Sequence, residues 1–342
     1  MRYPLIVTVI CLAWFGVVEL GLRNSDEHIL DRTFKGRATN FIKLDPIIGW
    51  RSNAGEYYFP PFVPGGEDIH VTILDDGGRA TKKNVQYLQN SALDTVSFFG
   101  CSFTFGHGIS DHQTFAWKLQ DKHPSLDLKN YATSGYGTYG SLLRLQETLP
   151  QIKKPRTIIY GFMQNHEIRN VAPNWWLSNL IIPAPFVSVS ADGNLIPLMT
   201  KKFKPFPWRH QSAVMLRLEA AYKQFLSPDQ SIDPKIMALV TTKLVQEMHA
   251  LSTRASAEFY MVILDAKTKT TQFYVDKLTS LGINVVDCTH PDFAMINTSA
   301  TTGYVMNRNL IKAAKLTVPG DGHPNEIMND YWAECINSKI KL

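Results

Sequence analysis

The 342-residue chain is short of several things. It has four cysteines, and no two stand as Cys-x-x-Cys, which excludes the usual structural zinc sites. It has no dense Lys/Arg block. Its 35 basic residues stand against 30 acidic ones, and the net charge of +5 leaves no electrostatic footprint for nucleic acid. Internal repeats and low-complexity tracts are absent. The strict G-x-S-x-G elbow is absent too, because Thr104 occupies its second glycine position. Cys11 lies in an apolar leader and Cys101 in a Gly-flanked turn. Cys288 and Cys335 would pair in an oxidising compartment; two buried thiols are the expected state.

The 44% of hydrophobic residues suffices for one large domain with additions. Residues 1–23 start with Arg2 and run apolar or neutral from Pro4 to Val18 before Glu19. That run is shorter than the roughly 20 residues of a bilayer span, but it suits the apolar region of an export signal. The expectation is an exported protein, periplasmic or extracellular, whose leader is either cleaved or kept as an N-terminal membrane anchor over residues 4–22; the plainer alternative is a buried first helix.

Residues 24–90 read as a small β-rich lead-in, with strands at Asp45–Trp50 and His70–Thr81 around Pro/Gly turns. From residue 91 to 342 the pattern alternates. Strand-like runs at 94–100, 126–132, 156–162, 257–265 and 283–288 are separated by helical stretches at 113–122, 141–146, 234–254 and 272–281. Such alternation implies right-handed crossovers and a parallel sheet with helices on both faces. A Pro- and Trp-rich interval at about 170–233 is too long for a plain connection and reads as an insertion beside the site.

Four places fall where the carboxyl edge of that sheet should be, the edge where open α/β sheets bind ligands. They are Ser102 in FFGCSFTFG, the run NYATSGYG (130–137), MQNHEIRN (163–170) and GDGHPN (320–325). Their residue types suit acyl transfer. Ser102 is a nucleophile once a base takes its proton, and His323 is the candidate base. Asp321 stands two residues earlier, able to orient the imidazole. The N–H groups of Ser102 and Gly135 and the Asn165 amide are candidate oxyanion donors. Each has a plainer alternative. Ser102 could cap a helix, and His323-Pro324 could be only a helix start. Gly135 could serve its turn, and Asn165 could be a satisfied loop amide. Trp175–Trp176 could be core, a sugar-stacking platform or a lid. His107 reads as a solvated residue, and Cys101 as pointing away from the Ser102 side.

GCSFTFG resembles the first block of the GDSL, or SGNH, hydrolases. NYATSG resembles their second block, QNH the end of the third, and DGHPN the fifth, in the family's order. The resemblance implies a three-layer α/β/α flavodoxin-like sandwich on a mostly parallel five-stranded sheet, and a Ser-His-Asp mechanism. Ser102, Gly135, Asn165 and His323 take the four named roles. Three departures stand out: Cys101 replaces the usual Asp, Met163 and His166 flank the third block, and Asp321 lies two rather than three residues before His323. The last also occurs in relatives that acetylate or deacetylate polysaccharides. The implied activity is a serine esterase or O-acyltransferase acting on a small-molecule or glycan ester of the cell envelope. It needs no metal or organic cofactor and takes no nucleic-acid partner. The alternatives are a non-catalytic glycan-binding or assembly protein on a degenerate scaffold, and a lipase-like enzyme.

Overall fold

The computed structural model describes residues 3–25, 41–83, 93–173, 176, 184–199, 206–208, 211–226, 232–293 and 315–342. The expected boundary near residue 90, Trp175 and the stretch 177–183 lie outside them.

Five strands build the central sheet: β5 (Thr95–Gly100), β6 (Asp127–Asn130), β7 (Pro155–Phe162), β10 (Glu258–Ile263) and β11 (Asn284–Asp287). They lie in the order β11-β10-β7-β5-β6, every pair parallel. Counted within the sheet this is 2-1-3-4-5, the flavodoxin-like order, whose switch point falls between β5 and β7. Each strand is apolar on both faces because both are covered. Val96, Phe98, Ile159 and Val262 meet α3 (Phe115–Lys122) and α9 (Glu326–Lys339). Phe99, Ile158, Tyr160, Met261 and Ile263 meet α4 (Thr138–Thr148), α7 (Pro234–Arg254) and α8 (Lys269–Ser280). The period-2 alternation of side chains sends consecutive residues into opposite cores.

The helices begin where local chemistry dictates. Thr114, Asp233, Thr268 and Asn325 each accept a backbone N–H at their helix start. Pro234 opens α7, where its missing N–H costs nothing.

The lead-in forms two antiparallel hairpins, β1 (Ile42–Asp45) with β2 (Gly49–Ser52) and β3 (Gly55–Phe59) with β4 (Ile69–Ile73). The reading of Asp45–Trp50 as one strand is corrected. Asp45 Oδ1 accepts the N–H groups of Ile47 and Ile48 at 2.9 and 2.8 Å, which turns the chain between β1 and β2. Beyond β4, the Arg79 N–H donates to Asn130 O at 2.8 Å, so the lead-in covers the open edge of β6.

The insertion supplies a third hairpin, β8 (Pro185–Val189) with β9 (Leu195–Met199), and helix α6 (Ala213–Leu226). The leader is a helix, α1 (Tyr3–Ser25). Its Glu19 carboxylate accepts the N–H groups of Ala213 and Val214 at the start of α6, at 2.8 and 3.0 Å. Among the described residues, no helix is long and apolar enough to cross a membrane. The reading of two free thiols is also corrected: Cys288 and Cys335 form a disulfide across 5.8 Å between Cα atoms. It ties the residue after β11 to α9, the helix that follows the loop carrying His323.

Candidate active site

Strand β5 ends at Gly100, and the chain turns at once into α2 (Ser102–Phe105), closed by Gly106 at φ +83. Gly100 sits opposite Gly161 on β7. A Cβ on either would lie 2.3 or 2.1 Å from Thr104 Oγ1. The two glycines therefore let α2 press onto the sheet at the switch point and present Ser102 at its rim. Cys101, just past the strand end, is buried in the core on the side of Val96 and Phe98.

The opposite end of the chain supplies the partner. Residues 316–325 close a tight loop, with Val318 N–H donating to His323 O at 2.7 Å and Asn325 N–H to Leu316 O at 3.0 Å. Gly320 and Gly322 have φ of +76 and +87. A Cβ at Gly320 would also lie 3.0 Å from Phe62 O, so the lead-in packs directly on this loop. His323 Nε2 lies 3.0 Å from Ser102 Oγ, and its Nδ1 meets the Asp321 carboxylate. Asp321 is buried, and its Oδ2 also accepts the His323 backbone N–H at 3.3 Å. Ser102 is only 4% exposed. Hydroxyl, imidazole and carboxylate thus stand in a row, brought together from the first strand of the sheet and the loop before the last helix.

Gly135 and Asn165 lie on the same rim, after β6 and β7. Thr133 N–H donates to Gly100 O at 3.1 Å, which seats the second loop on the end of β5. Gly135 has φ +91, and a Cβ there would lie 2.9 Å from the Trp50 ring. Trp50 Nε1 donates to Ser134 O at 3.0 Å, so a lead-in side chain shapes the backbone at Gly135. Asn165 is half-buried at the start of α5 (His166–Val171). Beside Gly135 lies a small recess between Trp50, Arg169 and Trp176, with the Arg169 guanidinium 5.2 Å from the Trp176 ring centre.

The solvated reading of His107 is corrected. Its ring is half-buried, with its centre 4.5 Å from that of His323, and its Nδ1 lies 3.4 Å from Ser134 Oγ.

Sequence reasoning passed over the residues that hold the rim in place. Arg79 is fully buried. Its Nε donates to Asp111 Oδ1 at 2.8 Å, Nη1 to the carbonyls of Phe105 and Gly106 at 2.9 and 2.6 Å, and Nη2 to that of Ile109 at 2.7 Å. Asp265, just past β10, accepts the N–H of Gln164 at 2.7 Å and so fixes the loop before Asn165. Burial pushes its carboxyl above the ordinary range, against two backbone donors. His166 is fully buried with Nδ1 2.6 Å from Tyr160 Oη; burial, aided by the nearby Arg169 charge, holds it well below an ordinary imidazole. A charged residue set among apolar ones, such as Arg79 in GGRAT, was the available signal, but nothing in the sequence names its partner.

No family model matches the chain, and no curated protein does. Among solved structures, the chain is similar to a lipolytic protein of the G-D-S-L family from Veillonella parvula DSM 2008. The identity is 12% and the TM-score 0.40, over 72% of this chain and 97% of that one. It is also similar to the psychrotrophic esterase EstA from Pseudoalteromonas sp., at 14% identity and TM-score 0.35, over 72% of this chain and 97% of that one.

Proposed function

We propose that the chain is an SGNH-type serine hydrolase acting on ester-linked acyl groups, an esterase or O-acyltransferase of cell-envelope carbohydrate. The observation that carries this reading is the Ser102–His323–Asp321 row at the switch point of a parallel sheet. His323 Nε2 takes the Ser102 proton as Oγ attacks the ester carbonyl. Asp321 holds the proton on Nδ1 and stabilises the imidazolium that forms. The N–H groups of Ser102 and Gly135 and the Asn165 amide receive the oxyanion; one such donor is worth about 3–4 kcal/mol of barrier. His323 then protonates the leaving alkoxide. Water completes hydrolysis of the acyl-serine, or a sugar hydroxyl completes transfer, with His323 again the base.

Export to an oxidising compartment is part of the proposal. The Cys288–Cys335 disulfide supports it, since such bonds persist there and are rare in reducing cytosol. The apolar leader supports it as well.

The test is hydrolysis of a short-acyl chromogenic ester by the wild type and by Ser102→Ala. Turnover is expected to drop to background in the variant, and a fluorophosphonate should label the wild type at Ser102. A folded wild type that takes no label would instead favour a non-catalytic glycan-binding protein. Such a reading has its own support in the buried Met163 and His166 of the third block.

A further inference from the structure

His107 stands outside the proposed reaction, yet it faces the proposed base. One ligand atom from each of His107, Asp321 and His323 lies within 4.8 Å of the others. Ligand atoms around a tetrahedral zinc ion, with bonds of about 2.0–2.2 Å, sit roughly 3.4 Å apart. A pair at the 4.8 Å limit must close by about 1.4 Å on binding, a shift we assign to the half-buried His107 ring. The backbone on either side of that ring is held. Gly106 O accepts from Arg79, and a Cβ at Gly108 would lie 3.3 Å from the Phe62 ring. The His107 ring centre stands 6.1 and 4.5 Å from those of Phe62 and His323, and its Nδ1 lies 3.4 Å from Ser134 Oγ.

We propose that His107, His323 and Asp321 bind a zinc ion reversibly and that its binding switches the centre off. The switching rests on the reading of His323 as base. Two imidazoles and one carboxylate are a donor set for Zn²⁺, whereas Ca²⁺ and Mg²⁺ want oxygen ligands. Coordination through either nitrogen of His323 silences it. At Nε2 the metal occupies the lone pair that would accept the Ser102 proton. At Nδ1 it displaces the proton facing Asp321; the ring's one proton then sits on Nε2, which donates to Ser102 Oγ instead of accepting from it. The metal is thus a competitor of the proton relay, and the reaction itself uses none.

The test has two arms. Calorimetric titration of ZnCl₂ into Ser102→Ala should show one site per chain. The added change His107→Gln should weaken that site by more than the ~10–100-fold that loss of a mere outer-shell partner costs. MgCl₂ should give no binding. In the wild type, ester hydrolysis should fall with Zn²⁺ and return with EDTA. His107→Gln should keep basal turnover and resist Zn²⁺. His107→Tyr, which retains a ring against His323, serves if the first variant folds poorly. Absent binding, binding unchanged by either His107 variant, or zinc-stimulated turnover would overturn the proposal. His107-dependent binding without inhibition would keep the cation site but sink the role given to His323.

Discussion

The lead-in and the insertion are both additions to the same five-stranded core, and they join it by different physics. The lead-in drives polar groups inward. Arg79 reaches beneath the nucleophile turn to four oxygen acceptors, and Trp50 braces Gly135. The insertion places apolar groups outward. Phe225 is 85% exposed, Leu218 52% and Tyr222 50%. Its described hold on the core includes the Val187, Val189 and Leu195 side chains, Ala184 beside Trp50 and Tyr136, and Lys243, which donates to Gly193 O at 2.5 Å. Its approach to the site, among the described residues, is made by Trp176, Ala184 and Pro185. A buried charge with several fixed partners cannot be released without cost, so the lead-in and the rim should form as one cooperative unit. An exposed apolar face imposes no such coupling.

The largest expected effect breaks that unit. Arg79→Met leaves the buried Asp111 carboxylate without its counter-charge, though with the Thr72 N–H still donating to it, and removes the Arg79 donor from three carbonyls. Removing one partner of a buried pair costs about 3–5 kcal/mol, and urea unfolding should show it. Ester turnover should fall along with stability, because the carbonyls of Phe105 and Gly106 belong to the turn that carries Ser102. A loss no larger than an ordinary surface substitution gives, about 0.5 kcal/mol, with turnover intact, would dissolve the distinction between the two additions.

Next comes Gly135→Ala. Its φ of +91 disfavours a Cβ, and Trp50 stands where that Cβ would go. If the Gly135 N–H is an oxyanion donor, kcat should fall about 10²–10³-fold. Trp50→Ala in the same chain removes the clash but not the backbone strain. Partial recovery in the double variant would apportion the two causes, and full recovery would mean the φ requirement is not limiting.

Much of this was legible beforehand, and the rest was hidden for identifiable reasons. The sheet strands announced themselves as short apolar runs between helical stretches, and each lies within about two residues of its expected bounds. That Ser102, Gly135, Asn165 and His323 share one rim was legible because each follows a strand or precedes a helix; the roles given to them belong to the proposal. Asp45–Trp50 misled because Asp45 spends its carboxylate on its own backbone, a local bond that competes with strand pairing. His107 misled because the ring it faces comes from the far end of the sequence, and ring-to-ring contact leaves no periodic trace. The disulfide was open for the same reason: two cysteines 47 apart show no geometry until β11 and α9 are packed.

A smaller effect sharpens the boundary of the coupled unit through pH. His166 is held neutral by burial, so its folded pKa lies well below that of the unfolded chain. Above the unfolded value near 6.5 both states are neutral and the residue adds no pH dependence. As pH falls through that value the unfolded chain takes up a proton that the folded chain refuses, and stability declines by up to about 1.36 kcal/mol per unit. His166→Phe should flatten this acid-side slope in urea midpoints taken between pH 6.5 and 5. An unchanged slope would place the proton uptake elsewhere.

The smallest effect belongs on the insertion. Phe225→Ser alters a ring that is mostly in water, so little area changes environment and the shift in stability should stay within about ±0.5 kcal/mol. Turnover of a soluble short-acyl ester should not move either, since the Phe225 ring buries too little surface to transmit strain to the rim. A drop several times that size in urea unfolding would mean that α6 is packed into the folded unit as firmly as Arg79. The two additions would then differ in composition but not in coupling.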